Sequence, residues 1–125
     1  SLAAHIARIP TWVKIMMTSE FFDRDAPQAD PGAHPFPERL VELSAYFDAN
    51  VAEAREALET ASEESWAQPW SLKKGETMIF TLPRMSVYRT MVMNHLIHHR
   101  GQLTVYLRLL EQPLPATYGT SADTQ

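Results

Sequence analysis

His95 and His99 stand four residues apart within the run Asn94-His95-Leu96-Ile97-His98-His99-Arg100-Gly101-Gln102-Leu103. On a helix this spacing sets two imidazoles one turn apart on one face, which is how a helix offers two nitrogens to a single metal ion. Alone, such a pair also has a plain structural reading, two rings bonded to neighbouring side chains or helix carbonyls. A third imidazole shifts the balance. Taken at about 100° per residue, His5 shares an apolar stripe with Leu2, Ile9, Trp12, Val13 and Met16. Three histidines on inward faces, in a chain without cysteine, make a facial three-nitrogen site with positions left open for water or substrate.

Projecting the later segment in the same way puts Tyr88, His95, His99, Gln102 and Tyr106 within about 60° of one another, on an arc shared with Met91, Val92, Leu109 and Leu110. That face is expected to be buried, and buried polar groups are costly unless bonded to something. A ligand accounts for them economically. Gln102 and Tyr106 either orient a ligand or bound water, or pack with an internal hydrogen bond. His98 lies on the other side of the stripe, where it serves as a catalytic acid or base, a support for the ligands, or a boundary residue. His34 falls in a proline-rich stretch and is expected to be exposed and inert. Arg89, Arg100 and Arg108 read as a solvated face, and Trp12, Trp66 and Trp70 as core or wall residues. Glycine within a helix costs about 1 kcal/mol relative to alanine, so Gly101 suggests close approach of another helix or a partner chain.

The elements that must carry these residues follow from periodicity and turn signals. A helix spans residues 1 to about 20, kinked or restarted at Pro10. From Asp23 to Pro37, four prolines and a glycine mark a long surface loop. Leu40, Leu43, Phe47, Val51, Ala54, Leu58 and Ala61 then repeat at helical spacing between about 37 and 62, leaving Glu42, Glu53, Arg55, Glu56 and Glu59 for solvent. Residues 63 to 83 predict a short hairpin turning at Gly75. The last helix runs from about Pro83 to Glu111 and is ended by Pro113 and Pro115.

The chain's 125 residues, 45% hydrophobic and 21% charged, suit one domain over 1–125. A net charge of −4 supplies no basic surface for nucleic acid. No apolar run approaches the roughly 20 residues that span a bilayer, so no membrane partner and a cytoplasmic location are expected.

The run from His95 to Arg108 resembles the last-helix signature of the DinB/YfiT superfamily. His5-Ile6-Ala7-Arg8-Ile9-Pro10-Thr11-Trp12-Val13 is similar to its second helix, and Tyr118-Gly119 with Ser121-Ala122-Asp123 to the tail of the DinB branch. The likeness extends from His5 to Asp123, with Thr120 where a proline is common. It implies an all-α fold, a DinB-like four-helix bundle with a short β-hairpin-like insertion before the last helix. The family's first helix would precede His5 and is missing from this chain. The resemblance also implies a divalent metal, zinc or nickel, held by His5, His95 and His99. Relatives include mycothiol-dependent maleylpyruvate isomerase and bacillithiol S-transferases, while the DinB branch takes its name from DNA-damage induction. The expected activity is thiol transfer at the metal, with a low-molecular-weight thiol co-substrate, a small-molecule acceptor, and His98, Gln102 and Tyr106 as catalytic candidates. A metal-dependent hydrolase, or a noncatalytic metal-stapled stress-response protein, are the alternatives. An apolar strip left uncovered by the missing helix would make the protein a homodimer.

Overall fold

Pro10 has no N–H with which to continue a helix, and its ring crowds the carbonyl of Ile6. The N-terminal stretch accordingly folds as two short helices, α1 (Leu2–Arg8) and α2 (Thr11–Thr18). Local bonds close the break: the Ile9 N–H donates to the carbonyls of His5 and Ile6, and the Thr11 hydroxyl donates to the Arg8 carbonyl at 2.8 Å. The computed structural model describes residues 1–27, 37 and 39–123. His34 lies outside them. Helix α3 (Leu40–Glu59) packs across both α1 and α2, and α4 (Glu63–Ala67) is a single turn capped by the Ser62 hydroxyl.

Two of the three strands form the predicted hairpin. β2 (Pro69–Lys74) and β3 (Thr77–Pro83) pair antiparallel and turn at Gly75, whose φ of +57° suits a residue without Cβ. The third strand changes the fold class. β1 (Phe21–Asp23), in a stretch that reads as the entrance to a loop, pairs parallel with Ser71–Lys73. The result is a three-stranded mixed sheet in the order β1-β2-β3, and the expected all-α bundle is corrected to a mixed α/β arrangement. Asp23 explains why so short a strand holds. Its carboxylate accepts from the backbone of Gly75 at 2.9 Å and Asp25 at 3.0 Å, and it pairs with Lys73 at 3.7 Å. These bonds hold its pKa below the ordinary carboxylate value, the backbone N–H donors being the main cause.

The core lies between the sheet and the helices, built from Ile9, Val13, Met16, Ala54, Trp70, Leu72, Val87 and Val92. Trp70 is buried with its indole N–H on the Ser19 hydroxyl, Trp12 packs edge-on to Phe22, and Trp66 packs edge-on to Tyr88. On α3 the five charged positions are exposed as the periodicity predicts, but so is Leu40, at 79%. The first turn of α3 therefore projects past its neighbours.

The last helix is not uniform. It starts as α5 (Arg84–Val87), widens into a π-helical segment from Tyr88 to Asn94, and resumes as α6 (His95–Leu109). Glu111, at φ 57°, reverses the chain beyond it, while the Gln112 N–H reaches back to the Leu107 carbonyl at 3.0 Å. One further expectation fails on α6. The arc beyond His99 is not buried, with Tyr106 at 59% and Leu109 at 74% exposure, because α6 runs past α1, its short helical neighbour. Nothing lies within 4 Å of a Cβ built on Gly101, so no helix of this chain approaches it closely among the described residues. The tail returns to α6 through Asp123, which takes both ends of the Arg108 fork at 2.9 and 2.6 Å, and through Tyr118, whose hydroxyl accepts from Arg100 at 2.7 Å.

Arg84 joins the last helix to the N-terminal half. Its guanidinium donates to the Met16 carbonyl at 2.8 Å, the Ser19 carbonyl at 2.9 Å and the Ser65 carbonyl at 3.3 Å. The planar fork donates from three separate nitrogens to these acceptors, whereas the donors of an ammonium all diverge from one. Arg84→Met should therefore cost on the order of 2–3 kcal/mol in urea unfolding, with Arg84→Lys recovering only part of it. Unchanged stability in both variants would show that water replaces the fork at no cost.

Candidate metal centre

α1 delivers His5 and α6 delivers His95 and His99, and the three rings meet where the two helices pack. Ring centroids are 5.0 Å apart for His5 and His95, 4.6 Å for His5 and His99, and 4.7 Å for His95 and His99. One potential ligand nitrogen from each lies within 4.8 Å of the others. His5 Nε2 and His95 Nε2 are 3.1 Å apart. Two nitrogens sharing one tetrahedral ion, at bonds of about 2.0–2.1 Å, stand about 3.3 Å apart. The His5–His95 spacing is close to that value, and the three donors lie near enough to one another to hold a divalent cation.

α1 is only seven residues long, and a helix of that length is not stable alone in water. Its position comes from packing and from one buried polar group. Asn50 of α3 donates through Nδ2 to the Ala7 carbonyl at 2.8 Å. Near the Pro10 break, that bond satisfies a carbonyl at the end of α1 and anchors the helix that carries His5. Asn50 was missed at the level of sequence. Its signal is its place on the stripe of Leu43, Phe47 and Ala54, where a polar residue needs a reason.

The last-helix histidines each have a further partner. His95 Nδ1 faces the Met91 carbonyl at 3.2 Å, and His99 Nδ1 faces Gln102 Oε1 at 2.7 Å. The exposed His98 sits beside the group, its ring centroid 4.9 Å from that of His99. Tyr106 lies two turns further along α6 and is exposed, away from the three rings. Tyr88 packs edge-on to Trp66 and against the core cluster that holds Val92. The three rings also act on one another: partial burial, then His95 and His99, then Arg8 and the N-terminal amine hold His5 below its ordinary pKa of 6.5.

The model of the DinB family matches residues 1–125. The chain belongs to the DinB family. No curated protein and no solved structure matches it. In this DinB chain the three histidines that can hold a divalent ion come from opposite ends of the sequence, and no helix among the described residues is long and apolar enough to cross a membrane.

Imidazole must be neutral to ligate, so metal occupancy should fall as the pH drops below about 6. The metal-free protein should lose stability over the same range. Between His5's lowered pKa and 6.5 the unfolded chain binds the proton and the folded one does not, so stability declines as pH falls through that window. In a zinc titration read by calorimetry, His95→Ala and His99→Ala should abolish tight binding, and Asn50→Ala should weaken it by loosening α1. Stoichiometric metal retained by the His5/His95/His99 triple alanine variant would exclude the site.

Proposed function

We propose that this DinB chain is a divalent-metal-dependent enzyme, with zinc or nickel as the ion, that transfers a low-molecular-weight thiol to an electrophilic small molecule. One observation carries the reading. The group consists of three imidazoles, and among the described residues no fourth His, Cys, Asp or Glu joins it. Structural sites are usually closed by four protein ligands, so three support an open position for substrate rather than a staple.

When bound, the cation supplies uncompensated positive charge, which lowers a thiol's pKa toward neutrality. His5, His95 and His99 hold it without adding negative charge, and that favours an anionic sulfur at the open position. The exposed His98, next to His99, takes the proton released by the thiol. The sulfur electron pair then forms the new S–C bond while the leaving group departs with its own pair. Gln102 touches His99 and acts through it.

Cobalt-loaded protein tests this reading, because a thiolate ligand produces an intense near-ultraviolet charge-transfer band that water does not. Glutathione, mycothiol or bacillithiol at millimolar concentration should produce the band, and the competent thiol should be consumed in the presence of an electrophile. A band with inhibition of ester or amide cleavage, and no thiol consumption, would favour a metal-dependent hydrolase instead. No band with any thiol would exclude thiol transfer.

The same reading includes pairing with a second copy. α6 exposes Ile97, Val105, Leu109 and Leu110, and exposed apolar side chains in number mark an interface. Sedimentation at micromolar concentration should show a dimer that Val105→Glu with Leu109→Glu dissociates. A stable wild-type monomer would remove the pairing.

A further inference from the structure

The nitrogens that a histidine turns away from a metal decide which nitrogen it can turn toward it. A carbonyl oxygen only accepts hydrogen bonds, so the imidazole nitrogen facing it carries the hydrogen. His95 Nδ1 faces the Met91 carbonyl at 3.2 Å, and His99 Nδ1 faces Gln102 Oε1 at 2.7 Å. In a neutral ring this leaves Nε2 with a free lone pair. For His95 that atom is the one 3.1 Å from His5 Nε2.

Met91 lies within the π segment. In an α-helix the Met91 carbonyl would receive the backbone N–H of His95, four residues on. Here that N–H goes to the Val92 carbonyl. The side chain of His95 meets the Met91 oxygen at 3.2 Å, at the point where the π segment gives way to α6. Short π segments within α-helices recur at functional sites.

We propose that the Met91 carbonyl and the Gln102 amide oxygen are positioning groups, which lock His95 and His99 as Nδ1–H tautomers before any ion arrives and so present both Nε2 atoms as ready ligands. The proposal rests on the reading of the three histidines as a metal site. The Gln102 side chain is decisive for His99. Turned about, its amide NH2 would donate to Nδ1, place the ring hydrogen on Nε2 and block that nitrogen from ligation.

The test reads the tautomers directly in metal-free protein labelled with 15N-histidine, at pH 8, by long-range proton–nitrogen correlation, with zinc affinity measured on the same samples. Wild-type protein should show Nδ1–H for both His95 and His99. Gln102→Leu should shift His99 toward the Nε2–H form preferred by free imidazole, leave His95 unchanged, and weaken zinc binding about 10–100-fold. Gln102→Glu keeps an acceptor at that position and should preserve both the tautomer and the affinity within a few-fold. Because Gln102 is exposed, neither substitution removes packing. An Nε2–H ring at His95 or His99 in the wild type would overturn the proposal, as would a Gln102→Leu variant that changes tautomer without losing zinc affinity, or one that changes neither. Wild-type protein with both Nδ1–H tautomers but no zinc binding would instead overturn the metal reading and leave the tautomer lock standing.

Discussion

Three imidazoles with ligand nitrogens inside 4.8 Å of one another would repel if more than one carried charge, and a shared cation turns the same closeness into a common site. Like charges at that separation repel strongly, and partial burial removes the water that would screen them. His5 already feels this, its pKa held down by burial first and by its two neighbours next. The surrounding structure supplies neutrality and direction rather than countercharge. Polar groups near the rings include a carbonyl oxygen, an amide oxygen and the Asn50 amide, and no carboxylate joins the group among the described residues. A bound dication there would keep its full charge toward an incoming anion.

The sheet and Arg84 hold the frame to which the two halves of the site are fixed. β1 ties the segment after α2 to the hairpin, and the hairpin leads directly into the last helix. The Arg84 fork then bonds to carbonyls at the end of α2 and to Ser65 next to the hairpin. The start of the last helix is thus fixed against the N-terminal helices by charge-assisted bonds, and the π segment lies between that anchor and the histidines.

Features carried by local periodicity were legible in the sequence. The pair His95 and His99, the stripe bearing His5, the interruption at Pro10 and the turn at Gly75 each depend on residues a few positions apart. The fold class was not legible. Phe21-Phe22-Asp23 is too short for alternation to show, and its partner lies about fifty positions later, so only tertiary pairing makes it a strand. The π segment escaped notice because a uniform 100° per residue assumes an unbroken α-helix. The apolar run at Val105 and Leu109 was read as burial, but amphipathic spacing identifies a face and not what covers it. Asn50 was visible on its stripe, yet hydrophobic periodicity alone passes over a polar residue whose partner is a backbone carbonyl.

The partners His5 and His95 are separated by 90 positions. A chain that has formed the last helix but not yet docked α1 holds only two imidazoles one turn apart, a common and undistinguished feature of helices. The third arrives only when α1 docks on α6, which closes a loop of 90 positions at an entropic cost. The complete ligand set therefore marks a finished topology. A nascent or partly opened chain presents a bidentate pair with correspondingly weaker hold on any ion, and this discriminates against loading before the domain is assembled.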